Sequence, residues 1–260
     1  MQSWLWQKNE FVSCDGVPLA DRGFRYGMSV FESIAVQNGA PRFLPEHLAR
    51  LRDACAKCNF AFAENALEKC GELLRENGLA RIYVTAGNGS TTSTADDCRL
   101  FVLHENRDPI PSHTYHRGYD LGLENEPHQP LFGGLKTANY WSNLHAFRRG
   151  VARQKNETLL FNPRGELISA CMANVFVVRD HELCTPSLDS GTRNGVLREW
   201  ILQRRTVHEC LLTRDEVAAA DEIFLTSSWL GIMPAASVEG ATLPARKIAG
   251  DLLRDYRALL

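Results

Sequence analysis

The sequence predicts an α+β protein in two parts. A small N-terminal α/β sandwich-like domain comes first, and a larger mixed-sheet pseudo-barrel domain with peripheral helices follows. Three observations carry this expectation. Residues 30–36 form an apolar, β-branched-rich run that meets the strong hairpin signal Asn38-Gly39 and then a helix opening at Pro45. Residues 105–119 are polar and contain Pro109 and Pro111, the composition of a linker. Beyond them, short strand-like runs alternate with tight turns instead of long periodic helices. The expected boundaries are 1–108 for the first domain, 109–118 for the linker and 119–260 for the second.

Taken in order, residues 30–36 read as a strand that returns over 41–44 after the turn. Pro45 suits the first position of a helix, where its missing N–H costs nothing. That helix runs over 46–59 and places Leu48, Leu51, Ala54 and Cys58 on one face. A second helix is expected over 64–77, with Leu67, Cys70, Leu73 and Leu74 inward and Gly78 as its stop. Strand-like runs follow at 81–85 and 99–104. In the second half, 158–161 and 166–169 flank a turn at 162–165, and 174–178 and 182–185 flank another at Asp180-His181. Helices are expected over 195–205, 213–219 and 244–258. Thr213 with Glu216 forms a capping box at the second of these.

The bulk composition excludes several classes. The chain has 260 residues, 44% apolar, with a formal net charge of -2, enough for a sizeable core and without the basic footprint of a nucleic-acid binder. The sequence holds no apolar stretch long enough to span a bilayer, and residues 1–8 lack a basic start followed by an apolar run, so a cytoplasmic protein without membrane or nucleic-acid partners is expected. The eight cysteines are scattered. Cys55 and Cys58 form a lone C-x-x-C inside the first helix, with Cys70 after it and no matching second pair for a closed zinc site. Reduced, buried thiols and no metal are the expectation.

The residues that could carry chemistry are few. Gly87-Asn88-Gly89 follows a strand, but Thr92 stands where a dinucleotide fingerprint needs a third small residue, and no helix is expected to open there. The segment reads as a loop. Gly195, Val196 and Leu197 begin a helix after a turn-rich stretch; unpaired N–H groups at such a start suit a phosphate, although Asn194 could equally cap it. Thr226-Ser227-Ser228 supplies hydroxyls just past a strand. Lys136 lies in Gly133-Gly134-Leu135-Lys136-Thr137-Ala138-Asn139, where small neighbours allow a lysine to be drawn inside and desolvated towards nucleophilicity. Arg50 on the first helix could add charge to an anion site.

In their order and spacing these segments resemble the class IV (fold type IV) pyridoxal 5'-phosphate (PLP) enzymes over nearly the whole chain. That family includes branched-chain and D-amino-acid aminotransferases and 4-amino-4-deoxychorismate lyase. The resemblance rests on residues 19–27 with Val30-Phe31-Glu32, on His47-Leu48-Ala49-Arg50-Leu51, and on Leu135-Lys136-Thr137-Ala138-Asn139. It continues through Ala173-Asn174-Val175-Phe176, Asn194-Gly195-Val196-Leu197-Arg198 and residues 221–226 with Pro234. It implies that Lys136 holds PLP covalently and then moves the substrate proton as acid and base. It implies that Arg50, the N–H groups of Val196 and Leu197 at Gly195, and Ser228 beside Ser227 bind the phosphate. Asn174 would lie on the cofactor floor, and Tyr26 and Phe31 would line the substrate pocket, with the loop 87–94 contributing to substrate choice. It further implies an amino donor and a 2-oxo acid as substrates, and a homodimer.

One departure bears on chemistry. In Ile168-Ser169-Ala170-Cys171-Met172-Ala173-Asn174, Ser169 stands where the family normally has glutamate facing the pyridine nitrogen. Serine can hydrogen-bond that nitrogen but cannot hold its proton by charge. Glu166 is three residues away, which on a strand is the opposite face. A second departure is Met28-Ser29, where many relatives have Asp-Gly. The leading expectation is an aminotransferase. A lyase releasing pyruvate from aminodeoxychorismate to give 4-aminobenzoate is the alternative, and a non-catalytic PLP-binding protein is a third.

Overall fold

The computed structural model describes residues 1–95 and 97–259; Asp96, inside the expected first domain, and Leu260, at the end of the expected second, lie outside the described residues. Contacts divide the chain into two compact units, one of Met1–Pro109 with Leu135–Asn139, the other of Ile110–Gly134 with Tyr140–Leu260.

In the first unit, β1 (Gln2–Gln7) and β2 (Glu10–Ser13) form a hairpin whose turn, Lys8-Asn9, takes positive φ at both residues. The sequence reading placed no strands there, although Trp4 and Trp6 alternate ahead of that turn. α1 (Arg22–Tyr26) is capped by Asp21, whose carboxylate accepts from the Gly23 N–H. β3 (Ser29–Gln37) turns at Asn38-Gly39, with φ of 54° and 73°, into β4 (Ala40–Pro41). The return strand is shorter than expected, because Leu44 already starts α2 (Leu44–Lys57). α3 (Glu64–Cys70) also ends early; its last residues tighten into a 3-10 turn at Gly71–Leu73, and Gly78 opens a strand. β5 (Gly78–Thr85) and β6 (Arg99–Asn106) complete a sheet of order β2-β1-β6-β5-β3-β4, antiparallel throughout the described pairs. Leu48, Leu51 and Ala54 of α2 pack with Ile34, Val36, Ile82 and Val102 of the sheet on the expected face; Cys55 joins them fully buried, while Cys58, expected there, is the partly buried C-cap of the helix. Cys55 and Cys70 are buried there as free thiols, and burial pushes both up to about 12, far from metal-binding thiolate.

In the second unit, the proline-containing polar stretch carries α4 (Ser112–Arg117), tied down by the Tyr115 hydroxyl donating to the Leu230 carbonyl. β7 (Tyr119–Leu123) follows, then α5 (Trp141–Ala152), β8 (Glu157–Phe161), β9 (Leu167–Ala170), β10 (Asn174–Arg179) and β11 (Glu182–Pro186). α6 (Val196–Leu202), β12 (His208–Cys210), α7 (Arg214–Ala218), β13 (Glu222–Ser227), β14 (Gly231–Val238), β15 (Ala241–Thr242) and α8 (Lys247–Arg257) complete it. The expected capping box is present at α7. The sheet runs β12-β11-β10-β13-β14-β7-β8-β9, with β15 on β14, and mixes parallel and antiparallel pairs. It curls: β9, the last strand of the path, comes back beside β10, near its start, across the turn 171–173. Leu159, Phe161, Val175, Val177, Ile223, Leu225 and Met233 fill the interior of the curl. Among the described residues no helix is long and apolar enough to cross a membrane.

Candidate active site

The first unit positions Lys136 by main-chain pairing. The segment Leu135–Asn139 lies along the start of β3, with Phe31 N–H donating to the Lys136 carbonyl (2.9 Å) and Ala138 N–H to the Ser29 carbonyl (2.9 Å). The half-buried Lys136 ammonium then sits 4.0 Å from the centroid of the Phe31 ring, over its electron-rich face. Phe31 is itself buried and stacked on Tyr83 of β5, ring centroids 5.1 Å apart, so the ring is a rigid floor for the amine.

The residue after Phe31 faces the other way, towards α2. Glu32 is 2% exposed and takes Arg50 in a two-point grip: Nε donates to Oε1 at 2.7 Å and one terminal nitrogen to Oε2 at 2.6 Å. His47, one helical turn before Arg50, places Nδ1 2.7 Å from the same Oε2. Burial alone would raise the Glu32 carboxyl, but the Arg50 charge and the hydrogen bonds of His47 and Arg50 outweigh it and hold the group at about 2. Burial depresses His47, with the Arg50 and Lys136 charges adding to that, against the pull of Glu32. The imidazole is therefore neutral and donates its Nδ1 proton to a carboxylate. Glu32 and His47 stood inside the motifs read from the sequence but were given no role there. The sequence carried only a partial signal: Glu32 is the one acid in a mostly apolar strand, and His47 and Arg50 are spaced one helical turn apart. Tyr26, at the end of α1, is 42% exposed, with the Arg25 guanidinium carbon 4.8 Å above its ring.

The second unit brings the other expected residues together. Asn174, first in β10, pairs across the sheet with Thr226 near the end of β13. Its amide nitrogen donates to the Arg193 carbonyl (2.7 Å) and the Thr192 hydroxyl (3.3 Å), which holds the strand entering α6. A Cβ on Gly195 would lie 2.0 Å from the Asn174 amide oxygen, so only glycine permits this approach at the helix start. No side chain caps α6; Asn194 instead accepts from Arg198 and donates to Glu199. The first-turn N–H groups of Val196 and Leu197 find no acceptor among the described residues. Ser227 Oγ accepts from Leu230 N–H at 3.2 Å, and the half-buried Ser228 follows it. The Thr226 hydroxyl is buried with no hydrogen-bond partner among the described residues. A helix start, a serine pair and an orphaned buried hydroxyl at one end of β10 and β13 form the donor set an anionic group would complete.

Ser169 is half-buried on β9 opposite Leu160, and its hydroxyl makes no hydrogen bond among the described residues. Glu166 does not approach it; that carboxylate is held in the 162–166 turn by Asn162 and Arg164. The turn after Ser169 is fastened by Glu157, which sequence reasoning missed. Its carboxylate, buried at the head of β8, accepts from Cys171 N–H (3.2 Å) and Met172 N–H (3.0 Å), as well as from Thr158 N–H (3.0 Å). Burial raises this carboxyl to about 7 against those three donors.

Comparison with known proteins identifies the family of the chain. A family model described as "Amino-transferase class IV" matches residues 29–238. The chain is 27% identical over 242 residues to the aminodeoxychorismate lyase of Bacillus subtilis (strain 168), covering 84% of this chain and 80% of that protein. It is 28% identical over 243 residues to a D-alanine aminotransferase of Listeria monocytogenes, covering 86% and 83% respectively. The crystal structure of 4-amino-4-deoxychorismate lyase from Pseudomonas aeruginosa superposes with a TM-score of 0.87 at 26% identity, over 99% of each chain. A buried-acid-anchored Arg50 in the first unit, a glycine-gated helix start in the second and a family match spanning both assign this chain to the class IV aminotransferase family.

Proposed function

We propose that the protein is a PLP-dependent aminotransferase that moves an amino group between an amino acid or amine and a 2-oxo acid. The observation that carries this reading is the Lys136 ammonium held over the buried Phe31 ring, on the strand whose next residue anchors Arg50. PLP, when bound, supplies the electron-withdrawing ring that makes a substrate's α proton removable. Lys136 supplies the amine that holds the cofactor and the base that takes and returns that proton. Arg50, fixed by Glu32, meets the phosphate with a guanidinium whose orientation is already determined, so little rotamer freedom is lost on binding. In the second unit, the Val196 and Leu197 N–H groups, Ser227, Ser228 and the orphaned Thr226 hydroxyl are donors suited to a dianion. Asn174 keeps the helix start in place, Ser169 offers the ring nitrogen a hydrogen bond, and Tyr26 and Phe31 border the substrate.

Ser169 favours a second reading. Ser169 would offer the ring nitrogen of bound PLP a hydrogen bond but no negative charge to keep it protonated, an environment that would suit elimination, as in pyruvate release from aminodeoxychorismate, better than transamination. One experiment separates the two. The purified protein is loaded with PLP and given a panel of amino donors while its visible spectrum is followed. Conversion to the pyridoxamine form by a donor, reversed by a 2-oxo acid, supports the aminotransferase. An unchanged spectrum together with pyruvate and 4-aminobenzoate formed from aminodeoxychorismate overturns it in favour of the lyase.

A further inference from the structure

Arg22 is a buried cation that neither reading uses. It is 1% exposed, and no carboxylate among the described residues pairs with it. Its guanidinium instead donates to main-chain carbonyls of a single loop: Ser93 (2.6 Å), Thr94 (2.8 Å), Gly87 (3.3 Å) and Ala86. Its own N–H donates to the Gly87 carbonyl at 2.8 Å. Asp21 secures the same place from the other side, accepting from the Thr85 hydroxyl at 2.8 Å and bridging to Asn88. The loop's ends are also fastened, with Ala86 N–H donating to the Met28 carbonyl (3.0 Å) and Ala61 N–H to the Ala95 carbonyl (3.3 Å), but between them Arg22 binds four of its carbonyls. Its tip, residues 90–94, is exposed, and the bonds among Ser90, Thr92 and Ser93 are solvent-facing hydroxyl contacts. Opening the loop would break all four of these charge-assisted bonds at once, so the carbonyls and the guanidinium hold each other in place.

The loop leaves β5 next to the amine. Phe31 pairs with Tyr83 and Ser29 with Thr85, while Lys136 and Ala138 pair with Phe31 and Ser29 on the other side of β3. The loop thus begins three residues, roughly 10 Å along the strand, from the Phe31–Tyr83 pair beneath the Lys136 ammonium. α1 links it to Tyr26 as well: Arg25 donates to the Gly89 carbonyl at 3.4 Å and covers the Tyr26 ring.

We propose that Arg22 is a positioning residue that sets the shape of the loop 86–94 and, through it, which donor side chain is accepted. The selectivity clause rests on the aminotransferase reading above. Arg22→Lys keeps the charge and the hydrocarbon stem but cannot reach the separated carbonyls together. A second variant perturbs the contact from the loop side: a Cβ on Gly89, at φ 155°, would meet the Arg22 guanidinium carbon at 3.2 Å and Ser93 at 3.0 Å.

The test uses the PLP-loaded native protein, Arg22→Lys and Gly89→Ala. Hydrogen exchange is read on peptides over 86–95 and over β3, and kcat and KM are measured for donors with small, branched and acidic side chains. Exchange over 86–95 should rise at least about tenfold in Arg22→Lys with β3 unchanged. KM for the preferred donor should rise and the ratio of kcat/KM between donors should fall by about tenfold in both variants, with PLP titration within about twofold of native. Unchanged exchange over 86–95 overturns the hold of Arg22 on the loop. Faster exchange with unchanged donor ratios overturns the selectivity role. A native protein that binds PLP but converts no donor overturns the aminotransferase reading and the selectivity clause with it, while the exchange result still decides the hold on the loop.

Discussion

Glu32 joins two side chains of α2 to one buried carboxylate, and that makes Arg50 more than a surface cation. Removing Arg50 does two things. It takes a charge-assisted donor from the proposed phosphate site, and it leaves Glu32 buried with only His47. Arg50→Ala is therefore expected to weaken PLP binding by roughly 2–3 kcal/mol, read by titration of the visible band. It should also lower unfolding stability at neutral pH by about 3 kcal/mol, read in urea. Unchanged affinity would remove Arg50 from the phosphate site. The second expectation at this scale concerns Ser169. Ser169→Glu should accelerate the donor half-reaction by at least about tenfold, on the order of 1.4 kcal/mol of barrier. A native half-reaction that is already fast, with no gain in the variant, would show that another group serves the ring nitrogen. Lys136 could be picked out from the sequence because its neighbours are small and its place in the motif order is distinctive. Glu32 and His47 could not be assigned roles, since their meeting depends on strand face and helix phase together, and neither is fixed by one sequence. Glu166 stays away from Ser169 for a different reason than strand parity: it lies before β9, in the 162–166 turn, where Asn162 and Arg164 hold its carboxylate.

The turn between β9 and β10 is fastened by an acid whose charge is costly. Glu157 is raised from 4.5 to about 7, first by burial, against the N–H donors of Thr158, Met172 and Cys171. The sign follows from proton counting. Between about pH 4.5 and 7 the native state keeps a proton on Glu157 that the unfolded chain has released, so this group's contribution to stability falls as pH rises and is flat above 7. From pH 5 to 7.5 the loss is about 2 kcal/mol. Glu32 has the opposite sign: held at about 2, it stabilises above 4.5, and that contribution disappears as pH falls towards 2. Glu157→Gln should therefore flatten the fall in stability between pH 5 and 7.5, measured as urea midpoints at half-unit steps. An identical pH slope in native protein and variant would show that Glu157 is not the titrating group. Other element-level features were hard to read in advance for definable reasons. The β1–β2 hairpin turns on Lys8-Asn9, which lacks the glycine that marks the second hairpin at Asn38-Gly39. α3 stops at Cys70 because the following residues close i to i+3 bonds, a choice that apolar periodicity cannot distinguish from α-helix.

At the scale of the whole chain, the order of its segments was more informative than any one of them. The curled mixed sheet of the second half was expected from its short strands and turns, whereas in the first half only the hairpin of β3 and the strands β5 and β6 were legible, not the six-stranded antiparallel sheet they join. The assignment of Leu135–Asn139 to the first unit was not, because that segment pairs with β3 across about a hundred residues of chain and no local pattern announces so distant a partner. That excursion is what sets Lys136 over Phe31, and the account stands on it. The direct measurement is borohydride reduction of the PLP-loaded protein followed by peptide mapping. A single labelled peptide containing Lys136 is expected, together with a Lys136→Ala protein that binds PLP without the visible band of the covalent form. A label on any other lysine, or the same band in Lys136→Ala, would contradict it.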